Sequence, residues 1–105
     1  MTEFDPEKFE DKYVHYFPEL QRAYKNAFST MNDEYDSNLI HAIDQQILNE
    51  SEPVYEDGEF RIRLPEHPEE RLTGVVVEAE KLDAVLERYV EELRAEHRRV
   101  FGVSG

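Results

Sequence analysis

Apolar side chains recur every three or four residues through the N-terminal third of the chain, and this spacing constrains the fold more than any other feature. Such spacing is typical of one face of a helix. Asp5 and Pro6 begin the pattern as an N-cap and a first-turn proline, while Pro18 interrupts the backbone hydrogen bonding. We therefore predict two helices, near residues 6–16 and 18–31, that meet at a kink. The apolar stripe consists of Phe9, Tyr13, Tyr16, Phe17, Leu20, Tyr24, Phe28 and Met31.

A third helical pattern follows the polar segment 32–36. Ser37 is placed to cap this helix, and its apolar face consists of Leu39, Ile40, Ile43 and Ile47. The pattern ends near Asn49, and Pro53 is consistent with a stop there. The sequence therefore predicts three helices before any strand.

The hydrophobic period changes from three or four to two after Pro53. Asp57 and Gly58 form a strong two-residue turn signal, because glycine adopts a positive φ without steric cost. After the turn, Phe60, Ile62 and Leu64 alternate with Arg61 and Arg63, which is typical of a strand with one apolar face. We interpret PEHPEER as a loop and 72–77 as a third strand, which gives a three-stranded antiparallel meander.

A long amphipathic helix completes the predicted fold. Its apolar stripe consists of Leu82, Val85, Leu86, Tyr89, Val90, Leu93, His97, Val100 and Phe101. Gly102 is placed to end the helix, and Arg94, Arg98 and Arg99 lie in its last turns, where cations are favoured. The whole prediction is one α+β domain over residues 1–105, with the element order ααα–βββ–α and the last helix packed on the sheet.

The charge of the chain limits its partners. There are 25 acidic and 12 basic residues, for a formal net charge of -13. Phosphate contacts need clustered Lys and Arg, so we expect no binding to nucleic acid. Like charges on a folded surface repel unless salt screens them, so we expect salt-dependent stability. Two explanations remain open: an acidic protein of an ordinary cell, or one that works in a high-salt cytoplasm.

The location of the protein follows from what its sequence lacks. No apolar run approaches the ~20 residues that span a bilayer, and the acidic start MTEFDPEKFE does not resemble a signal peptide. The chain contains no cysteine, which excludes disulfides, thiolate metal sites and cysteine nucleophiles. We therefore expect a soluble, cytoplasmic protein with no membrane partner.

The chain resembles a small family of acidic, uncharacterised proteins from haloarchaea. The resemblance is carried by three stretches: FDPEKFEDKYVHYFPELQRAYKNAF, SNLIHAIDQQILNE and VVVEAEKLDAVLERYVEELRAEHRRVFG. Together they span most of the chain. The resemblance implies a high-salt cytoplasm, but it implies no activity and no functional residues.

The polar residues offer few candidates for chemistry. His15 falls opposite the apolar stripe beside Asp11, and His41 falls opposite Ile43 of the third helix, so both are interpreted as exposed. Either could contribute to a metal site only with carboxylates from other elements. Arg61 and Arg63 form a cationic pair that could hold an anion; the alternative is cross-strand pairing with glutamates. We assign no catalytic residue, no metal and no cofactor.

Two functions from different classes remain open at this stage. The first is a non-enzymatic protein-interaction module that binds a partner protein or a second copy of itself, because aromatic residues left outside a small core are typical interface anchors. The candidate interface residues are Tyr16, Phe17, Tyr35, His97 and Phe101. The second is a protein or enzyme that binds a metal or an anionic small molecule, through Arg61 and Arg63 or through a cluster of His15, His41 and carboxylates.

Overall fold

The computed structural model describes residues 4–103. Over this range the fold is α+β, with five helices and one antiparallel sheet of two strands. Two short 3-10 turns, Lys8–Asp11 and Leu48–Glu50, extend the helical segments. The elements are α1 (Lys12–His15), α2 (Phe17–Glu34), α3 (Ser37–Gln46), β1 (Glu52–Glu56), β2 (Glu59–Arg63), α4 (Pro68–Arg71) and α5 (Ala79–Phe101). None of the helices in the described range is long and apolar enough to cross a membrane.

The first predicted helix is shorter than its apolar pattern. Residue Tyr16 separates α1 from α2 with φ -128° and ψ 20°, outside helical geometry. Pro18 lies in the first turn of α2, where a proline is tolerated because its missing N–H would have no intrahelical partner. The chain therefore turns one residue before the predicted position. The cap of α3 is also shifted by one residue, because Asp36 accepts hydrogen bonds from the backbone N–H groups of Asn38 (2.8 Å) and Leu39 (3.4 Å).

Helices α2 and α5 pack against each other in antiparallel orientation. Glu34 near the end of α2 pairs with Arg88 in the first half of α5, while Tyr24 near the start of α2 contacts His97 near the end of α5. Helix α3 packs on the same pair, so these three helices bury one continuous apolar core. That core includes Ala27, Met31, Leu39, Ile40, Ile43, Ile47, Leu82, Val85, Leu86, Tyr89 and Leu93.

Strands β1 and β2 form the predicted hairpin. Asp57 (φ 52°) and Gly58 (φ 77°) both adopt positive φ, as a type I′ turn requires, and Glu56 pairs with Glu59 on either side of it. Phe60 of β2 is buried in a second core, made mostly of aromatic rings. This aromatic core contains Phe9, Tyr16, Leu20, Phe60 and Phe101, with Phe4, Tyr55 and Val103 packed against it.

The predicted three-stranded meander and the order ααα–βββ–α are wrong for the described residues. The sheet has two strands, and the PEHPEER segment contains the short helix α4 rather than only a loop. Residues 72–77 form no strand. The backbone of β2 instead faces α5, where the Arg94 guanidinium donates from Nε to the Phe60 carbonyl at 2.8 Å.

The side chain of Gln46, at the end of α3, bonds both backbone groups of Thr73, as a neighbouring strand would. The Thr73 N–H donates to Gln46 Oε1 at 2.6 Å, and Gln46 Nε2 donates to the Thr73 carbonyl at 3.1 Å. The Thr73 hydroxyl also donates to Gln46 Oε1, at 3.0 Å. One glutamine therefore satisfies both backbone groups of Thr73 without a neighbouring strand. The valines at 75 and 77 pack on the helical core instead.

Replacing Gln46 tests this account of the missing strand. We expect Gln46→Ala to lower the free energy of unfolding by about 1–2 kcal/mol, since exposed hydrogen bonds each contribute about 0.5–1.5 kcal/mol. The Thr73 amide should also exchange its hydrogen faster, which NMR can follow residue by residue. Gln45→Ala is the matched control, because Gln45 is an exposed neighbour that does not hold Thr73. Equal exchange rates at Thr73 in the two variants would contradict this role of Gln46.

Candidate functional site

The histidines considered for a metal site lie on different helices. His15 is exposed on α1 and His41 is exposed on α3. The His41 ring meets the Phe28 ring edge-on, with centroids 4.9 Å apart. Between residues 4 and 103, no group of three or more His, Asp or Glu side chains is arranged to hold a metal ion.

Arg61 and Arg63 both carry carboxylate partners. The Arg61 guanidinium lies 3.5 Å from Glu59 and that of Arg63 lies 3.3 Å from Glu56, and all four side chains are largely exposed. Exposed ion pairs of this kind contribute little stability, with a median near 0–1 kcal/mol. The carboxylates of Glu59 and Glu56 nevertheless neutralise the positive charge on which an anion site would depend.

The five candidate interface residues divide into two groups. Tyr16, His97 and Phe101 are buried within the chain, and the Tyr16 hydroxyl accepts a hydrogen bond from the Asp5 N–H at 3.0 Å. Phe17 and Tyr35 are partly exposed, at 43% and 37% of their surface. They lie at opposite ends of α2, so they belong to separate surfaces.

His97 connects the two cores. Its ring lies 5.6 Å from Tyr24, 5.7 Å from Phe60 and 6.3 Å from Phe101, measured between centroids. Nδ1 lies 2.6 Å from the Leu93 carbonyl, so Nδ1 carries the hydrogen and donates it. Nε2 is buried without a partner in residues 4–103. Burial lowers the pKa of His97 to about 4, although the hydrogen bond to Leu93 raises it by a smaller amount. The ring is therefore neutral near pH 7.

An aromatic groove lies where the N-terminal helices meet the start of β1. Tyr13 is 59% exposed and Phe17 is 43% exposed, and both rings form its wall. The groove encloses about 240 Å³. Its lining consists of Tyr13, Phe17, Leu20, Gln21, Tyr24, Asn49, Ser51 and Pro53. None of these residues is charged, although 35% of the chain is.

Two hydroxyl groups belong to the polar part of this aromatic groove, together with the side-chain amides of Gln21 and Asn49. The Tyr24 hydroxyl and Ser51 Oγ are 2.9 Å apart, and Ser51 Oγ donates to the Leu48 carbonyl at 2.6 Å. Because serine has one hydroxyl hydrogen, the Tyr24 hydroxyl must donate to Ser51. Burial raises the pKa of Tyr24 to about 12, so this hydroxyl stays protonated. The groove is therefore neutral as well as aromatic.

A buried cation supports the outer wall of the groove. Lys12 is buried, and its Nζ lies 2.8 Å from Glu52 Oε2. The same Nζ lies 5.2 Å from the centre of the Tyr13 ring, within cation–π range. The hydrogen bond from Lys12 lowers the pKa of the Glu52 carboxyl. Lys12 thus contacts the Tyr13 ring while its own charge is matched by Glu52.

The sequence pattern missed Tyr13 as a surface residue. It placed Tyr13, Tyr16 and Phe17 on one helical face and named Tyr16 and Phe17, but not Tyr13, as candidate interface residues. The chain instead leaves helical geometry at Tyr16. Tyr16 consequently turns into the aromatic core while Tyr13 and Phe17 stay outside it. The available signal was the density of large rings, with Tyr13, Tyr16 and Phe17 all within five residues.

Several depressions in the described part of the chain are larger than the aromatic groove, with volumes from about 280 to about 500 Å³. One of about 500 Å³ lies between α3 and the segment 73–77, and its lining includes Asp36, His41 and Lys81. Another of about 500 Å³ lies beside β1, and charged side chains make up more than half of its lining. The depression beside β1 resembles the ordinary charged surface of this chain, whereas the one at α3 has few charges but contains no Phe or Tyr ring. The aromatic groove differs from both because it combines three aromatic rings with an uncharged lining.

Comparison with known proteins assigns the chain to a family without assigning an activity. The family model described as "Family of unknown function (DUF5783)" matches residues 1–104, so the chain belongs to that family. The predicted resemblance to a family of uncharacterised proteins is therefore confirmed. A search of curated proteins and a search of solved structures each found no match.

The burial of His97 predicts a pH dependence of stability. The unfolded chain takes up a proton on this ring near pH 6.5, whereas the folded chain does so near pH 4. Between these pH values the unfolded state therefore binds more protons than the folded state. The contribution of the neutral His97 ring to the free energy of unfolding is complete above pH 6.5 and is lost as the pH falls toward 4. We expect a loss on the order of 3 kcal/mol, measured by urea unfolding at several pH values.

A variant without the ring separates His97 from the carboxylates that titrate in the same range. His97→Leu should show a shallower decline between pH 6.5 and 4, although its stability at pH 7 will be lower. His15→Gln, which removes an exposed histidine, should retain the slope of the original chain. Parallel slopes for the original chain and His97→Leu would contradict the prediction.

Proposed function

We propose that this member of the family of unknown function is a non-enzymatic protein-interaction module, and that the aromatic groove receives apolar side chains of a partner. The observation that carries the proposal is the neutral aromatic lining on a chain with a net charge of -13. Exposed aromatic rings are over-represented among the residues that dominate binding energy at protein interfaces. Tyr13 and Phe17 are such rings.

The size of the aromatic groove favours side chains over a whole metabolite. Its volume of about 240 Å³ lies below the ~300–1,000 Å³ typical of small-molecule pockets. A groove of this size holds one or two side chains of a larger partner. Lys12 contacts the Tyr13 ring, and the Tyr24 hydroxyl is bonded to Ser51. Contacts made before binding reduce the side-chain entropy that association costs.

The alternative of an anionic small molecule at Arg61 and Arg63 has less support. Each guanidinium already lies within 3.5 Å of a carboxylate. An anion would have to displace Glu59 or Glu56 and then overcome the surrounding negative charge. The interaction module therefore remains the better proposal, with a second copy of the chain as one of the partners it allows.

We further propose that the chain works in a high-salt cytoplasm. The support is the net charge of -13, which the exposed arginine–glutamate pairs offset only locally. At ~1 M salt the screening length falls to about 3 Å from about 10 Å at 0.1 M. Repulsion among the surface carboxylates then largely disappears.

Photo-crosslinking from the aromatic groove tests the interaction proposal. A benzoylphenylalanine placed at Tyr13 should form a defined product with one protein in an extract of the source organism at its own salt concentration. The same group at Val76, which is exposed outside the groove, is the matched control and should not form it. Mass spectrometry of the product identifies the partner segment, and a product of two copies identifies self-association.

Competition shows whether the aromatic rings carry the interaction. Excess original chain should abolish the crosslink, whereas excess Tyr13→Ala/Phe17→Ala should not, because the wall of the groove is gone. Both rings are substantially exposed, so the double variant should keep the circular dichroism spectrum of the original chain. Identical products from positions 13 and 76, or equal competition by the double variant, would refute the proposed function.

Thermal unfolding at increasing salt tests the high-salt proposal. We expect the melting temperature to rise from low salt to about 1 M, because screening removes repulsion in the folded state. A variant with Glu66, Glu70 and Glu87 replaced by Gln should melt higher at low salt and rise less, since those carboxylates are exposed. A melting temperature that stays constant or falls with salt would rule out the proposal.

A further inference from the structure

We propose that residues 75–77 form a β-ribbon between two copies of the chain, in which this segment pairs antiparallel with the same segment of a second copy. None of these residues lines the aromatic groove, so the surface is a different one from that of the proposed function. The ribbon adds no strand to the β1–β2 sheet within one chain.

The backbone of residues 75–77 has no hydrogen-bond partner in the described part of the chain. Before the segment, Thr73 bonds to Gln46 through both of its backbone groups; after it, the Glu78 carbonyl accepts from the Leu82 N–H. The groove of about 500 Å³ between α3 and residues 73–77 leaves one side of this backbone accessible. Free backbone donors and acceptors in a row are what an added strand pairs with.

The side chains of the segment already alternate as they would in a strand. Val75 and Val77 pack on the helical core, whereas Val76 between them is fully exposed. A single exposed valine is ordinary on a protein surface, but this one stands on a backbone with free hydrogen-bonding groups. Valine also favours strands, because its branched side chain packs well on a pleated surface. The segment therefore lacks only a neighbouring strand.

The sequence GVVVE of residues 74–78 fits a second copy of itself in one antiparallel register. When Val76 faces Val76 of the second copy, Val75 faces Val77 and Gly74 faces Glu78. Residues directly opposite each other lie on the same face of a ribbon. The two exposed valines therefore cover each other on the outer face, and the valines that pack on the cores meet on the inner face.

The same register keeps like charges apart. Glu78 is the one charged residue in positions 74–78, and it faces Gly74 of the second copy rather than another carboxylate. A parallel pairing would place the two Glu78 side chains together, which is unfavourable in a chain with a net charge of -13. Contact between valines does not depend on charge, so salt that screens the carboxylates does not weaken it.

The length of the ribbon sets its strength. Stable interfaces bury about 1,200–2,000 Å², and a ribbon of this length is smaller than that. We therefore expect a weak dimer in equilibrium with the monomer. Sedimentation equilibrium at about 1 M salt, with the chain between about 10 μM and about 1 mM, covers the range of such affinities. A chain that remains monomeric throughout this range would overturn the proposal.

Cysteine cross-linking tests the register, because the chain has no cysteine of its own. In Val76→Cys the two thiols would lie on directly opposed residues, within the Cα separation of about 4.4–6.8 Å that a disulfide spans. Glu78→Cys is the matched control, because its two copies would lie about 13 Å apart, four residues along the ribbon. Both positions are exposed.

Air oxidation should convert Val76→Cys to a covalent dimer about tenfold faster than Glu78→Cys, or more. Residue 78 is the N-cap of α5, where a thiolate is favoured, so a slower reaction there would reflect geometry rather than low reactivity. Equal rates of dimer formation in the two variants would contradict the proposed register.

Two further variants separate this ribbon from the aromatic groove. Val76→Asp should sediment as a monomer while keeping the circular dichroism spectrum of the original chain, because the side chain it replaces is exposed. Tyr13→Ala/Phe17→Ala should dimerise like the original chain. The opposite result, with dimers lost in the double variant and kept in Val76→Asp, would assign self-association to the groove and overturn the ribbon.

The ribbon also defines the product expected when benzoylphenylalanine replaces Val76. A crosslink from position 76 should join two copies through residues 75–77, whereas the product from Tyr13 is expected at the groove. Peptide mapping by mass spectrometry distinguishes the two, so either surface can fail while the other stands. A two-copy product from position 76 that maps outside residues 74–78 would count against the ribbon.

Discussion

The antiparallel packing of α2 on α5 determines where the other elements lie. The first part of α5 supplies the core that α2 and α3 cover, and its last two turns supply His97 and Phe101 to the aromatic core. One helix therefore passes through both cores, and His97 lies at the point where they meet. The same helix positions the hairpin, because Arg94 of α5 donates a hydrogen bond to the carbonyl of the buried residue Phe60.

Local signals in the sequence predicted the elements whose structure depends on local chemistry. The stripe of α5 and the glycine after it, and the Asp57–Gly58 turn, appear as predicted, because helix spacing and positive φ are properties of a few adjacent residues. The third strand was wrong: the backbone of Thr73 is bonded by Gln46, a residue 27 positions away, and Val75 and Val77 pack against the helical core. Single-sequence periodicity contains no information about such a distant partner.

The candidate site was predicted only in part for a related reason. Aromatic excess near the N-terminus indicated that some rings would stay outside the core, and Phe17 is one of them. Which other rings stay outside depends on where the helix breaks, and the break at Tyr16 decides between Tyr13 and Tyr16. The residues opposite them, Asn49, Ser51 and Pro53, come from a segment whose position depends on the tertiary fold.

The contacts at the two edges of the hairpin affect how the chain behaves at high concentration. A hairpin with two unprotected edges would be a template for pairing between molecules and for aggregation. Here the Arg94 side chain covers a carbonyl of β2, and Pro53 interrupts the donors of β1. Each strand of the small sheet therefore has one position at which edge-to-edge pairing with another copy of the chain is disfavoured.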